Sequence, residues 1–172
     1  MPFALETPRL RLRPRDGRDA EWNLALLAEH PLGRPAGTVE EERERLDAQR
    51  AAFEERGFGL YTISEQESGD VVGYCGLIVG RASASQPELA YELLRGHVGH
   101  GYATEAAAAV ADAAFDAGFP VLWATVATWN APSFGVLAKL GFVPTRRVGF
   151  DGGSVFVWLR RRAPRRRHRT PS

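Results

Sequence analysis

The chain has 172 residues, 44% hydrophobic and 25% charged, with 22 basic against 21 acidic side chains. That is an ordinary composition for one soluble globular domain long enough to bury a substantial core. A single cysteine, Cys75, excludes an intramolecular disulfide and a cysteine metal cluster. The N-terminal stretch lacks the apolar core of a signal peptide, and no apolar run reaches the ~18 to 20 residues of a membrane span, so a cytoplasmic protein without membrane contact is expected.

The near-zero net charge hides an asymmetry. Residues 160–172 hold seven arginines and no acid, which leaves 15 basic against 21 acidic side chains over the rest. The reading is a folded domain over residues 1–159 and a basic tail over residues 160–172. One account of the tail is a disordered, solvated segment, with Pro164 and Pro171 breaking any helix. The other is a weak electrostatic contact with RNA, the ribosome or an acidic partner. No aromatic interleaves the arginines, so base stacking has no support.

In chain order, residues 8–13 alternate arginine with leucine, as a half-exposed strand does. Asp16 or Asp19 caps a first helix over residues 17–29, with Trp22, Leu24, Leu26 and Leu27 on its apolar side. Residues 30–37 carry two prolines and two glycines and form a loop. Thr38 and Glu41 make a capping box for a second helix to about Arg56, with Val39, Leu46 and Phe53 inward and its glutamates and arginines solvated. Residues 58–64 and 71–79 form an antiparallel hairpin across the polar turn 65–70, with Cys75 a small buried hydrophobe rather than a catalytic thiol. Residues 81–87 are a small, polar loop.

The segment from Glu88 to Ala117 organises the rest. Leu89, Tyr91 and Leu93 alternate with Glu88, Ala90 and Glu92 in a strand. A turn with Gly96, Gly99 and Gly101 follows, then an alanine-rich helix stopped by Gly118 and Pro120. A glycine turn that delivers a strand to a helix N-terminus makes an anion site, because free N–H groups and the helix dipole point outward there. A phosphate-bearing cofactor is therefore expected at residues 97–103. Residues 121–127 form an apolar strand roughly parallel to 88–94, since strand, helix, strand in this order is a right-handed crossover. Asn130 caps a short helix ended by Gly141, and a last hairpin turns at residues 151–153.

Four of these pieces in this order resemble the GNAT N-acetyltransferases, in particular the branch that acetylates the N-termini of ribosomal proteins. They are TPRLRLRP, GFGLYTISEQESGDVVGYCGL, ELAYELL with GHVGHGYATEA, and NAPSFGVLAKLGF. The resemblance covers nearly the whole folded chain. It implies an α/β (α+β) fold with a mixed, mostly antiparallel sheet of about six or seven strands, a splayed central parallel pair and about four helices. It implies acetyl-CoA as acyl donor, with its pyrophosphate on the backbone of His97, Val98, Gly99, His100, Gly101, Tyr102 and Ala103. Leu93 would pair with the pantetheine arm, Asn130 would bind it by hydrogen bonds, and Ser133 matches a position near the thioester sulfur. Gly96, the His97-Val98 pair and His100 depart from the family pattern, and His100 lacks the fixed charge of a lysine or arginine.

Acetyl transfer to an amine needs a base, because α-amines and lysines are mainly protonated at neutral pH. It also needs donors for the tetrahedral oxyanion and a proton for the departing thiolate. Glu88 is the candidate base, against an ordinary exposed strand carboxylate, and Glu92 ranks below it. Ser133 is the candidate proton donor, against a hydrogen bond of its own helix turn. Tyr91, Tyr102 and Trp129 read as packing residues. The four histidines show no metal spacing, so no metal is expected. The acceptor is a protein N-terminus or a small-molecule amine, and a non-catalytic acyl-CoA-binding or RNA-associated module is the competing reading. Either a monomer or a homodimer suits the sequence.

Overall fold

The structure is a computed structural model and describes residues 1–29, 37–151 and 153–164. The Leu/Arg alternation builds β2 (Leu10–Pro14), with Leu10 and Leu12 fully buried, and a short β1 (Leu5–Glu6) pairs with it. Asp16 caps a 3₁₀ turn, Gly17–Asp19, that runs into α1 (Ala20–Glu29). Both halves of the Thr38–Glu41 capping box form at the start of α2 (Val39–Arg56), and Leu46 and Phe53 are buried. Glu42 departs from the expected solvated face: it is buried and accepts hydrogen bonds from Asn23 and Arg45. The loop expected over residues 30–37 lies, but for Gly37, outside the described residues.

The predicted hairpin is β3 (Leu60–Glu65) with β4 (Val71–Ser83), and burial pushes the Cys75 thiol up, away from thiolate chemistry. β5 (Gln86–Leu93) pairs with β4 out to Ser83↔Gln86, so the expected loop over residues 81–87 contracts to a turn at Ala84 and Ser85. Then come α3 (Tyr102–Asp116), β6 (Val121–Ala127), α4 (Ala131–Lys139), β7 (Val143–Asp151) and β8 (Ser154–Arg162). The alanines of α3 let it sit close to the sheet: Ala106, Ala107, Val110, Ala111 and Ala114 are fully buried against Leu77, Leu89 and Leu122 among others.

Among the described residues the sheet has eight strands in the order β1-β2-β3-β4-β5-β6-β8-β7. This is the expected mixed α/β fold, with β1 adding to the six or seven strands anticipated. The only parallel pair among the described residues, β5–β6, meets at Glu88↔Trp123 alone, so the two strands splay beyond that point. β8 lies between β6 and β7 and pairs with β6 as far as Val121↔Arg162. Arg160, Arg161 and Arg162 are therefore strand residues, which corrects the start of the basic tail; residues 165–172 lie outside the described residues.

A buried carboxylate fastens the first helix to the sheet. Asp19 is 1% exposed and accepts from both terminal nitrogens of Arg13 at 2.9 and 2.6 Å, from Trp22 Nε1 at 2.7 Å and from Thr62 Oγ1 at 2.8 Å. Burial works to raise its pKa, but the bonds from Arg13, Trp22, Asp16 and Thr62 outweigh that and hold it below the usual value. Asp19→Ala leaves the Thr62 hydroxyl without its acceptor and Arg13 with only its longer contacts to Asp16 and Pro14 O, and is expected to cost about 3 kcal/mol in urea unfolding. Because the folded pKa is depressed, the stabilisation is complete above the ordinary carboxylate range and fades as pH falls through the lowered value.

Candidate active site

Beyond Leu93 the chain makes a 3₁₀ turn, Arg95–His97, and enters α3 through Gly99 and Gly101, at φ 90° and 84°. These left-handed values suit glycine and no other residue at low cost. Gly101 is the N-cap and supplies no side-chain acceptor, so the first-turn N–H groups of Tyr102, Ala103 and Thr104 have no intrahelical partner. Two of the donors expected of the turn are already engaged. The N–H of His97 is donated to Leu94 O at 2.9 Å and that of Val98 to Arg95 O at 3.3 Å.

An unforeseen clamp fixes this turn. Glu105 accepts from Arg9 N at 3.0 Å, Arg9 Nε at 2.7 Å and Thr7 Oγ1 at 2.6 Å, while Arg9 also donates to His100 O at 3.0 Å. The Arg9 guanidinium lies 4.7 Å from the centre of the Tyr102 ring, and His100 stacks on that ring. His97 leans toward Glu65, with 3.6 Å between Nδ1 and Oε1. Both imidazoles are thus drawn aside, and neither lines the cavity described next. Burial tends to raise the pKa of Glu105, but Thr7 and Arg9 hold it below its ordinary value. Glu105→Gln should raise KM for acetyl-CoA about fivefold and leave kcat within about twofold, as loss of charge-assisted bonds at a positioning group would.

A cavity of about 600 Å³ runs from Val98, Gly99 and Gly101–Thr104, past Glu92 and Leu93, to Asn130, Ser133 and Lys139. A second, of about 450 Å³, is lined by Ile78, Arg81, Glu88, Thr125, Asp151 and Phe156. Tyr74, Tyr91, Trp129, Asn130 and Ser133 line both, so the two meet where β5 and β6 splay. Asn130 Oδ1 caps α4 by accepting from Ser133 N at 3.3 Å, which leaves its amide nitrogen as the remaining donor. The Tyr91 hydroxyl donates to Ser133 O at 3.1 Å, and burial pushes its pKa up to about 12. Tyr91 and Trp129 are cavity walls as well as packing residues, and Trp129 is 48% exposed.

Glu88 is not the exposed strand carboxylate that was its alternative. It is 2% exposed, its Oε2 accepts from Thr125 Oγ1 at 2.9 Å, and its Oε1 accepts from the N–H of Arg81. Each oxygen keeps a further lone pair, and Glu88 lines the second cavity. Glu92 lines the first cavity and accepts from the Tyr74 hydroxyl at 3.1 Å. Ser133 stands at the junction. Among the described residues no group of three or more histidine, cysteine or acidic side chains could hold a metal ion.

The donor set fits acetyl-CoA. Free N–H groups at a helix N-terminus suit a pyrophosphate, and a Cβ at Gly99 would project into open space. Lys139 adds a cation on the cavity wall, and the open edge of β5 offers backbone groups to an extended amide-bearing arm.

The comparisons agree with this geometry. A family model described as an acetyltransferase (GNAT) domain matches residues 9–143. The chain belongs to the GNAT acetyltransferases, and it is an acetyl-CoA-dependent N-acetyltransferase. It is 29% identical over 163 residues to the uncharacterized protein YkkB of Bacillus subtilis strain 168, covering 91% of this chain and 95% of that one. An acetyltransferase structure from Agrobacterium tumefaciens superposes with a TM-score of 0.77 at 28% identity, covering 94% of each chain. The ribosomal-protein-S5-alanine acetyltransferase of Vibrio fischeri shares the fold at 18% identity, with a TM-score of 0.76 and coverage of 93% of this chain and 96% of that one.

Proposed function

We propose that this enzyme moves the acetyl group of acetyl-CoA to the α-amine of a protein or peptide, with Glu88 as general base and Ser133 as proton donor. The observation that carries this reading is the meeting of two cavities at the strand splay: one is lined by the glycine turn at the start of α3 and the other by a buried carboxylate. The thioester would sit at the junction, near Ser133. A neutral amine arriving through the second cavity attacks its carbonyl carbon, and the proton it sheds passes to Glu88, directly or through a water. The carbonyl oxygen gains the negative charge, which a backbone N–H at the open edge of β5 can stabilise. Collapse breaks the C–S bond, the amide departs, and the Ser133 hydroxyl supplies the proton to the thiolate; the proton held by Glu88 restores the serine through solvent.

The fold shared with a ribosomal-protein-alanine acetyltransferase supports a protein acceptor. Small-molecule amines are the alternative acceptors. A thiol-release assay with acetyl-CoA over a panel of free-N-terminus peptides and small amines tests the reading. A peptide with a small N-terminal residue is expected to turn over fastest, and faster turnover of polyamines or aminoglycosides would replace the proposed acceptor.

A further inference from the structure

Outside the two cavities, one charged surface has no part in the chemistry above. β5, β6, β8 and β7 share a face, shown by contacts between their side chains. Gln86 accepts from Trp123 Nε1 at 3.1 Å, Trp123 meets Trp158 edge-on at 5.7 Å, and Thr125 bonds Glu88. On this face Arg147 lies 3.8 Å from the centre of the Trp158 ring, Arg160 lies 5.7 Å from that of Trp123, and Arg81 lies 4.6 Å from that of Phe156. Arg162 follows Arg160 on the same side of β8, by strand alternation. Arg81 is paired with Asp151. Among the described residues Arg147, Arg160 and Arg162 have no ion-pair partner. At the other end of this face the Asp16–Asp19 turn is seated on Thr62 and Arg13, so the α1–α2 layer occupies the β2–β3 part.

We infer that this arginine-bearing half of the face seats an acidic polypeptide segment whose amine is the acceptor; the inference rests on the protein-acceptor reading and names its substrate class. Three observations carry it. The face runs into the second cavity, because Arg81, Phe156 and Asp151 line that cavity and Phe156 and Trp158 alternate along β8. The unpaired charges of its arginine-bearing half, Arg147, Arg160 and Arg162, have one sign, which steers and holds an opposite charge. Arg147 and Arg160 rest against aromatic rings, so less side-chain freedom is lost when either meets a carboxylate. A protein segment suits the surface better than a nucleic acid does. Trp158 is 3% exposed beneath Arg147, and Trp123 is half-buried, so the rings beneath these arginines offer no bare face to a base.

The test uses the full chain and two readouts. One is fluorescence anisotropy of a labelled acidic peptide with a blocked N-terminus, which reports docking without turnover. The other is kcat/KM for free-N-terminus peptides in which aspartates and glutamates are exchanged for asparagines and glutamines. The acidic peptide is expected to show about tenfold higher kcat/KM than its neutral twin at low salt, with the gap closing near 0.5 M salt. Arg147→Gln/Arg160→Gln/Arg162→Gln should remove the gap and the anisotropy signal while kcat on the neutral peptide stays within about twofold, and the triple lysine variant should restore part of both. Equal kcat/KM for the two peptides, or tighter binding of a single-stranded RNA of equal charge in competition, would overturn the inference. Turnover confined to small amines, with the blocked acidic peptide still bound through these arginines, would refute the protein-acceptor reading yet keep the docking face. Loss of both would refute the two together.

Discussion

Gly99→Ala/Gly101→Ala is expected to weaken acetyl-CoA binding about a hundredfold, measured by calorimetric titration. At φ 90° and 84° both residues sit where an L side chain costs roughly 1–2 kcal/mol each. The variant loop would relieve that strain by leaving the conformation that aims the Tyr102, Ala103 and Thr104 N–H groups outward. The cost should therefore fall on the cofactor and only weakly on folding, because neither glycine belongs to the buried core. Gly96 serves as the internal control. Its φ is not positive and a Cβ there meets nothing within 4 Å, so Gly96→Ala should bind within about twofold of wild type. Equal losses at Gly96 and at the pair would mean that the turn conformation does not hold the phosphates.

Glu88→Gln is expected to lower kcat about a hundredfold to a thousandfold with little change in KM for acetyl-CoA, as removal of a general base does. The amide keeps the volume of the carboxylate, but its nitrogen cannot accept from Thr125 Oγ1 or the Arg81 N–H, so one of these buried donors must turn away. Acetyl-CoA binding separates a base from a structural anchor. If Glu88 is the base, calorimetric titration of the variant should give a Kd for acetyl-CoA within about twofold of wild type while kcat falls. A weakened Kd together with a lowered Tm would assign Glu88 to anchoring Thr125 and Arg81 alone. A larger loss at Glu92→Gln would move the base to the first cavity, beside Tyr74.

Local features of the site were legible in the sequence because local rules set them. The Thr38–Glu41 box, the Asn130 cap, the helix start at Gly101 and the strand–turn–helix–strand crossover depend on residues a few positions apart. What escaped depends on distant segments. Arg9 and Glu105 are 96 positions apart, and nothing in a Leu/Arg alternation says which arginine will reach a helix. Glu42 reads as one charge on a polar helix until Asn23 and Arg45 close over it. A period of two assigns Tyr91 to the core side of β5, but the splay opens a path to that side and makes it a wall of both cavities. The expected cradle began at His97, because motif spacing does not reveal that the 3₁₀ turn has already used the N–H groups of His97 and Val98. The order β6-β8-β7 also lies beyond hairpin patterning, and it is what turns three arginines of an apparent tail into strand residues, Arg160 beside Trp123 and Arg161 beside Asp112 of α3.

Acetyl transfer through the joined cavities is tested most directly by mass spectrometry of a peptide after incubation with enzyme and acetyl-CoA, read together with stoichiometric thiol release. The account predicts one acetyl group on the α-amine of a peptide that also carries a lysine, no transfer when that α-amine is blocked, and loss of both signals in Glu88→Gln. Acetylation of the lysine side chain alone, or thiol release matched only by a small amine, would contradict it.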